Sequence, residues 1–349
     1  MGFIRGSLPA LYLALLLVLL ASCGGSDTTG GQEDQGRGED ETTGGTPVAD
    51  TISDSGGDEQ GSWQTGAPLP TAASEVAVAE LDGKIYVLGG YTGETTSSTL
   101  NQVYDPSTDT WEELAPLPRG LDHVGAAGYG GRVYAVGGFS SGNEEAVSDV
   151  YAYNVAANSW EELASLPVGA RGSVAVTQLD GKIHAIGGRG TQDVDTHEVY
   201  DPATGAWEQL APLPTAREHM PAVALDGRIY VPGGRFETFQ NNTGIHEVYD
   251  PETDSWEEAA PLPTPRSGTA GAALDGRVLV FGGEEGSGTF EENEAYDPET
   301  DTWMALAPLP TPRHGFGAAT VEGAVYVPGG APVTGGGQQS DVLEIFTLS

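Results

Sequence analysis

The chain has 349 residues, with 51 acidic side chains against 14 basic ones and a formal net charge of −37. A charge of that sign and size excludes nucleic acid and anionic lipid headgroups as general partners. The single cysteine, Cys23, excludes disulfide staples, zinc–thiolate centres and cysteine nucleophiles from anything folded beyond it.

Residues 1–22 carry one basic residue, Arg5, then an apolar run from Leu8 to Leu20. The run is short for a membrane span, which needs about 20 apolar residues, and reads as a secretory signal peptide. Its end, Leu20-Ala21-Ser22-Cys23, resembles the lipobox of bacterial lipoproteins. That resemblance implies lipidation of Cys23, export to the cell envelope and membrane attachment through the anchor alone. Residues 23–60 are rich in Gly, Ser, Thr, Asp and Glu, with ten acidic residues and one arginine. Such a composition cannot bury enough apolar surface to offset its ordering entropy, so a disordered, self-repelling tether is expected there.

From residue 61 to 349 the sequence repeats. Gly-Gly pairs at 89–90, 137–138, 187–188, 233–234, 282–283 and 329–330 each end a short apolar run such as KIYVLGG or RVLVFGG. Tyr104, Tyr153, Tyr200, Tyr249 and Tyr296 each lie seven residues before a tryptophan, namely Trp111, Trp160, Trp207, Trp256 and Trp303. Each unit holds four strand-like segments bounded by turn signals, LDG between the first two and DPETD-like runs between the last two. The second strand is apolar on both faces, as befits a sheet packed between two others. The glycines that end it imply close approach of another backbone or ring. Gly-Gly, Tyr and Trp in this order resemble the kelch repeat, which implies an all-β, six-bladed β-propeller. Six Gly-Gly strands face six tryptophan strands only if Trp63, in GSWQTGAPLP, is counted. The last unit stops at EIFTLS without a tryptophan, so the N-terminal strand is expected to complete blade six and close the ring.

Loops between strands two and three, and between strand four and the next blade, vary among the units; both leave on one face. Binding residues are expected there, and the resemblance points to the same face. The near-invariant turns on the other face read as structural. Seven arginines lie in the variable connections: Arg119, Arg171, Arg189, Arg217, Arg235, Arg266 and Arg313. Four of them, Arg171, Arg217, Arg266 and Arg313, share one position before the first strand and are expected to ring the channel mouth. They serve either as partners of neighbouring-blade carboxylates or as forks for a carboxylate, sulfate or uronic group. Arg189, Arg235, His219 and His314 complete the candidate ligand site. Histidines 123, 219 and 314 on alternate blades lack a metal-spacing motif, so no metal or other cofactor is expected. His197 and His246 read as polar residues where a loop meets a strand.

Absence of cysteine rules out the crosslink of galactose-oxidase-like copper enzymes. Kelch-type sialic acid mutarotases are a nearer comparison and need arginine for the carboxylate plus an acid–base residue. Arg217, Glu218 and His219 offer those types. The sequence supports a monomeric binding module for a protein or an anionic or carbohydrate ligand, with a carbohydrate-modifying enzyme as the alternative.

Overall fold

The computed structural model describes residues 60–93 and 95–348; the signal-peptide and tether expectations lie outside them. Those residues form six antiparallel four-stranded sheets. Blade one consists of Ala77–Leu81, Lys84–Leu88, Asn101–Asp105 and Thr110–Glu113. Blades two to five repeat this order, beginning at Gly125, Ala175, Val223 and Ala270. Blade six takes Ala319–Val321, Ala324–Pro328 and Leu343–Thr347, and its outer strand is Ser62–Thr65. The register pairs Trp63 with Phe346 and Ser62 with Thr347. The ring closes as the repeat count requires.

Each second strand is buried along four of its five residues, with Ile85, Val87, Val278 and Val280 fully covered. Neighbouring sheets cover both faces, which is why these strands do not alternate. Burying one such side chain is worth about 1.5–3 kcal/mol. The Gly-Gly pair that follows has a specific task. The second glycine N–H donates to a carbonyl at the start of the next blade in all six cases, from Gly90 to Leu121 (2.8 Å) through to Gly330 to Ala73 (2.8 Å). A Cβ at Gly90 would stand 2.3 Å from the Ser74 carbonyl oxygen, and its φ is +85°. Only glycine allows both the turn and the contact.

Tryptophans on the outer strands latch each blade to the one before it. The Trp111 indole N–H donates to the Ala67 carbonyl (2.8 Å), Trp160 to Ala115 (2.8 Å) and Trp63 to Ala307 (2.9 Å). His197 and His246 each open a third strand, at the junction with the loop before it, and are buried there with Nδ1 against the Ala211 and Ala260 carbonyls. Asn101 and Asn293 make the same bond in blades one and five.

Candidate functional site at the propeller axis

The four equivalent arginines do not line the channel mouth. Arg171 is 2% exposed, and Arg217, Arg266 and Arg313 are fully buried inside their own blades. Arg266 shows the arrangement: Nε donates to the Gly282 carbonyl (2.7 Å), Nη2 to Val280 (2.9 Å), and Nη1 pairs with Glu294 on the third strand. Arg171–Glu198, Arg217–Glu247 and Arg313–Glu344 repeat it. Each guanidinium donates to carbonyls at the glycine end of the second strand. The partner is a carboxylate of the same blade, not of a neighbour. A signal for this was present in the repeats: blades one and two have Ala73 and Leu121 at the arginine position, and Gln102 and Tyr151 at the glutamate position. Arginine and glutamate occur together or not at all.

Around the axis stand two other sets of equivalent positions. The inner set is Glu75, His123, Ser173, His219, Gly268 and Gly315, one per blade, all with φ between +49° and +66°. Their backbones join blade to blade: His123 N–H to Glu75 (3.1 Å), Ser173 to His123 (2.9 Å), Gly268 to His219 (3.0 Å), Gly315 to Gly268 (2.9 Å) and Glu75 to Gly315 (2.5 Å). Left-handed backbone at four non-glycine positions is strain of the kind that gathers at functional sites. The glycines make room, since a Cβ on Gly315 would meet the Glu75 carboxylate at 2.6 Å. The residue preceding each inner position bridges the residue that follows the Gly-Gly pair. This sets Asp122 against Phe139, Glu218 against Arg235, and His314 against Ala331.

Together these positions make one charged cluster. Glu75 faces His123 Nε2 (3.1 Å) on one side and His314 Nε2 (3.2 Å) on the other. Asp122 holds His123 Nδ1 at 2.6 Å. Arg235 reaches Glu218 (2.9 Å), Glu284 (2.7 Å) and His219 Nε2 (2.9 Å), while Arg189 lies 3.4 Å from Glu218. His314 Nε2 also lies 3.3 Å from Glu284. Arg189, Arg235, His219 and His314 are thus brought together in one cluster; the four buried arginines are not among them. Arg189, with 21% of its side chain exposed, is the most open cation of the cluster and sits over the Phe139 ring. Sequence reasoning missed Glu75 and Ser173, because residue types differ at their position from blade to blade.

The electrostatics separate the acid from the base. Burial opposes ionisation of Glu75, yet His123 and His314 hold its carboxyl well below the usual range. Burial also works against His123 carrying charge, but Glu75 and Asp122 raise it to about 9. His219 moves the other way, lowered by burial and by Arg235 beside it. Glu75, His123 and His219 offer donor atoms within 4.8 Å of one another. They do not suit a divalent cation, because His219 Nε2 already accepts from Arg235 and its Nδ1 faces Glu218 at 3.2 Å. A guanidinium beside the ligand nitrogen opposes a second cation. The inner set encloses a cavity of about 90 Å³, into which Ser173 presents a buried Oγ with no hydrogen-bond partner. Beneath it, first strands of all six blades line a channel of about 410 Å³.

The family description for the KLHDC2/KLHL20/DRC7 kelch-repeat domain matches residues 58–234 and 174–347. The chain belongs to the kelch-repeat family. Within it, the kelch propeller is 32% identical over 93 residues to the F-box/kelch-repeat protein SKIP4 of Arabidopsis thaliana. That match spans 26% of each chain, so it carries the repeat and not the whole protein. The solved structure of YjhT superposes with a TM-score of 0.69 at 17% identity, over 80% of this chain and 96% of that one. At that identity the likeness establishes the shared fold.

Proposed function

We propose that this kelch propeller modifies a small sugar acid by proton transfer at the axial cluster, as the kelch-type sialic acid mutarotases do. The observation that carries this reading is the Glu75 carboxylate held between His123 and His314, with the partly open Arg189 in the same cluster. Mutarotation breaks the bond between the anomeric carbon and the ring oxygen. The anomeric hydroxyl gives up a proton, the ring oxygen gains one, and closure from the other face reverses both. An ionised Glu75 is suited to accept the first proton and the His123 imidazolium to supply the second, since their environments drive them apart. Arg189 would take the substrate carboxylate.

The test is proton NMR of freshly dissolved N-acetylneuraminic acid. Anomeric equilibration should run faster with the protein than in buffer, and Glu75→Gln should abolish the gain. Equilibration at the buffer rate overturns the reading. A second reading, binding at the loop face without turnover, is favoured by the size of the axial cavity, which at about 90 Å³ holds water and keeps a sugar ring from Glu75. Saturable binding of the same acid with no faster equilibration would support it. For location, the proposal is an exported protein anchored through Cys23. Cys23→Ser should then move it from membrane to soluble fractions, and unchanged retention would refute the anchor.

A further inference from the structure

The turn face, opposite the axial cluster, carries a pocket of about 500 Å³ at the seam between blades two and three. That size is in the range of small-molecule sites. Its walls include Tyr129, Tyr134, Tyr200, Arg132, Glu161 and Gly205. Three departures from the repeat lie at or beside this seam.

The first is Tyr129. First strands elsewhere end in Leu81, Leu179, Leu225, Leu274 or Val321. Tyr129 is instead 40% exposed, and its hydroxyl reaches across the seam to the turn of blade three, where a Cβ on Gly181 would meet it at 2.7 Å.

The second is Gly205. In blades one, two, four and five the tyrosine hydroxyl donates to Asp109, Asn158, Asp254 or Asp301 at 2.7–2.8 Å. The same side-chain oxygens accept the backbone N–H of Ala67, Ala115, Ala211 and Ala260 from the preceding blade. Blade three has Gly205 there, so the Tyr200 hydroxyl and the exposed Ala164 N–H lack that acceptor.

The third is Asn154. Arg228 in blade four pairs with both Asp250 and Glu257, whereas Arg132 pairs only with Glu161 because Asn154 stands at the Asp250 position. Part of the Arg132 fork is left for another acceptor.

We infer that this seam binds a neutral saccharide. An exposed phenol face suits the apolar side of a pyranose ring. The Tyr200 hydroxyl, the Ala164 N–H, Arg132 and Glu161 supply donors and acceptors for ring hydroxyls. Arg132 and Glu161 cancel in charge, and the surrounding anionic domain disfavours an acid, so the ligand is uncharged. This site stands apart from the axial reading, in residues and in chemistry, and assigns a role to a face whose turns otherwise read as structural.

The experiment is saturation-transfer NMR on the whole propeller with methyl α-glucopyranoside and N-acetylglucosamine as probes. Two variants restore what the other blades carry, Tyr129→Leu and Gly205→Asp. Aspartate tolerates the position, since Asp109, Asp254 and Asp301 have φ of 53°, 45° and 51° beside +71° for Gly205. Binding of at least one probe, weakened at least tenfold by either variant with melting not lowered and anomer equilibration at the axis unchanged, is the expected result. No binding by the unaltered protein, equal binding by both variants, or preference for p-cresol over both sugars would overturn the inference.

Discussion

Arg266 and its three counterparts sit where a charge is costly to hold and more costly to strand. Desolvating a guanidinium and a carboxylate opposes the pairing, but three backbone carbonyls and Glu294 satisfy the fork inside blade five. Such pairs add little net stability, while removing one partner leaves a buried charge and costs about 3–5 kcal/mol. Arg266→Ala should therefore lower the urea midpoint sharply, and Arg266→Ala with Glu294→Ala should recover part of the loss. Equal destabilisation by the single and the double variant would show that the carboxylate is not the partner that matters. A second residue-scale case is His184, which stands where Tyr86, Tyr134, Tyr230 and Tyr326 stand in other blades. Its Nδ1 lies 3.0 Å from His197 Nε2, both buried. Burial, then His197, lowers His184 to about 3; burial lowers His197 to about 4. Unfolded histidine titrates near 6.5. At these two sites the unfolded chain takes up protons first, so their contribution to stability is complete above pH 6.5 and is lost as pH falls toward the folded values. By pH 5 the loss should be about 2 kcal/mol per imidazole, and His184→Tyr should flatten the slope between pH 7 and 5. A slope unchanged by that substitution would place the sensitivity elsewhere.

At the level of strands, the six repeats were legible because every blade must solve the same packing problem with the same residues. Gly-Gly, tyrosine and tryptophan recur because each makes one contact that no other side chain makes as well, and the count of tryptophans was enough to place Ser62–Thr65 in blade six. Side-chain direction was not legible. Whether an arginine preceding the first strand points toward the axis or back into its blade depends on where the Gly-Gly turn leaves its carbonyls. Nor was the inner set, whose common feature is a left-handed backbone and not a residue type. The closure itself is testable. Trp63 packs on Phe346 and Phe281 at 5.0 and 5.8 Å between ring centres and donates to Ala307. Trp63→Ala should cost about 3 kcal/mol, the lower end for a large aromatic because the ring is only half-buried. Removing residues 1–58 should leave the melt nearly unchanged, whereas removing 1–70 exposes the edge of the Leu343–Thr347 strand and should lower it strongly. Identical melts for the two truncations would refute the closure.

For the whole molecule, the two faces differ in what they expose. Loops of variable length meet over the axis, where acid, base and cation lie within contact of each other. On the turn face, Tyr129, Asn154 and Gly205 depart from the repeat at or beside the seam of blades two and three. A ring of near-identical units makes such departures readable, because five blades serve as the control for the sixth. It has one more consequence. Ser62 and Thr347 are direct partners across a ladder, so blade six is held there by hydrogen bonds where the other five have a covalent turn. Joined there by a short linker and reopened in the Asp297–Thr302 turn, the chain would thread the same ring. Trp303 would then be the first latch and Trp63 an ordinary internal one. An inheritance by circular rearrangement would leave no mark on the folded object, and only its melting temperature would record which seam had been left uncovalent.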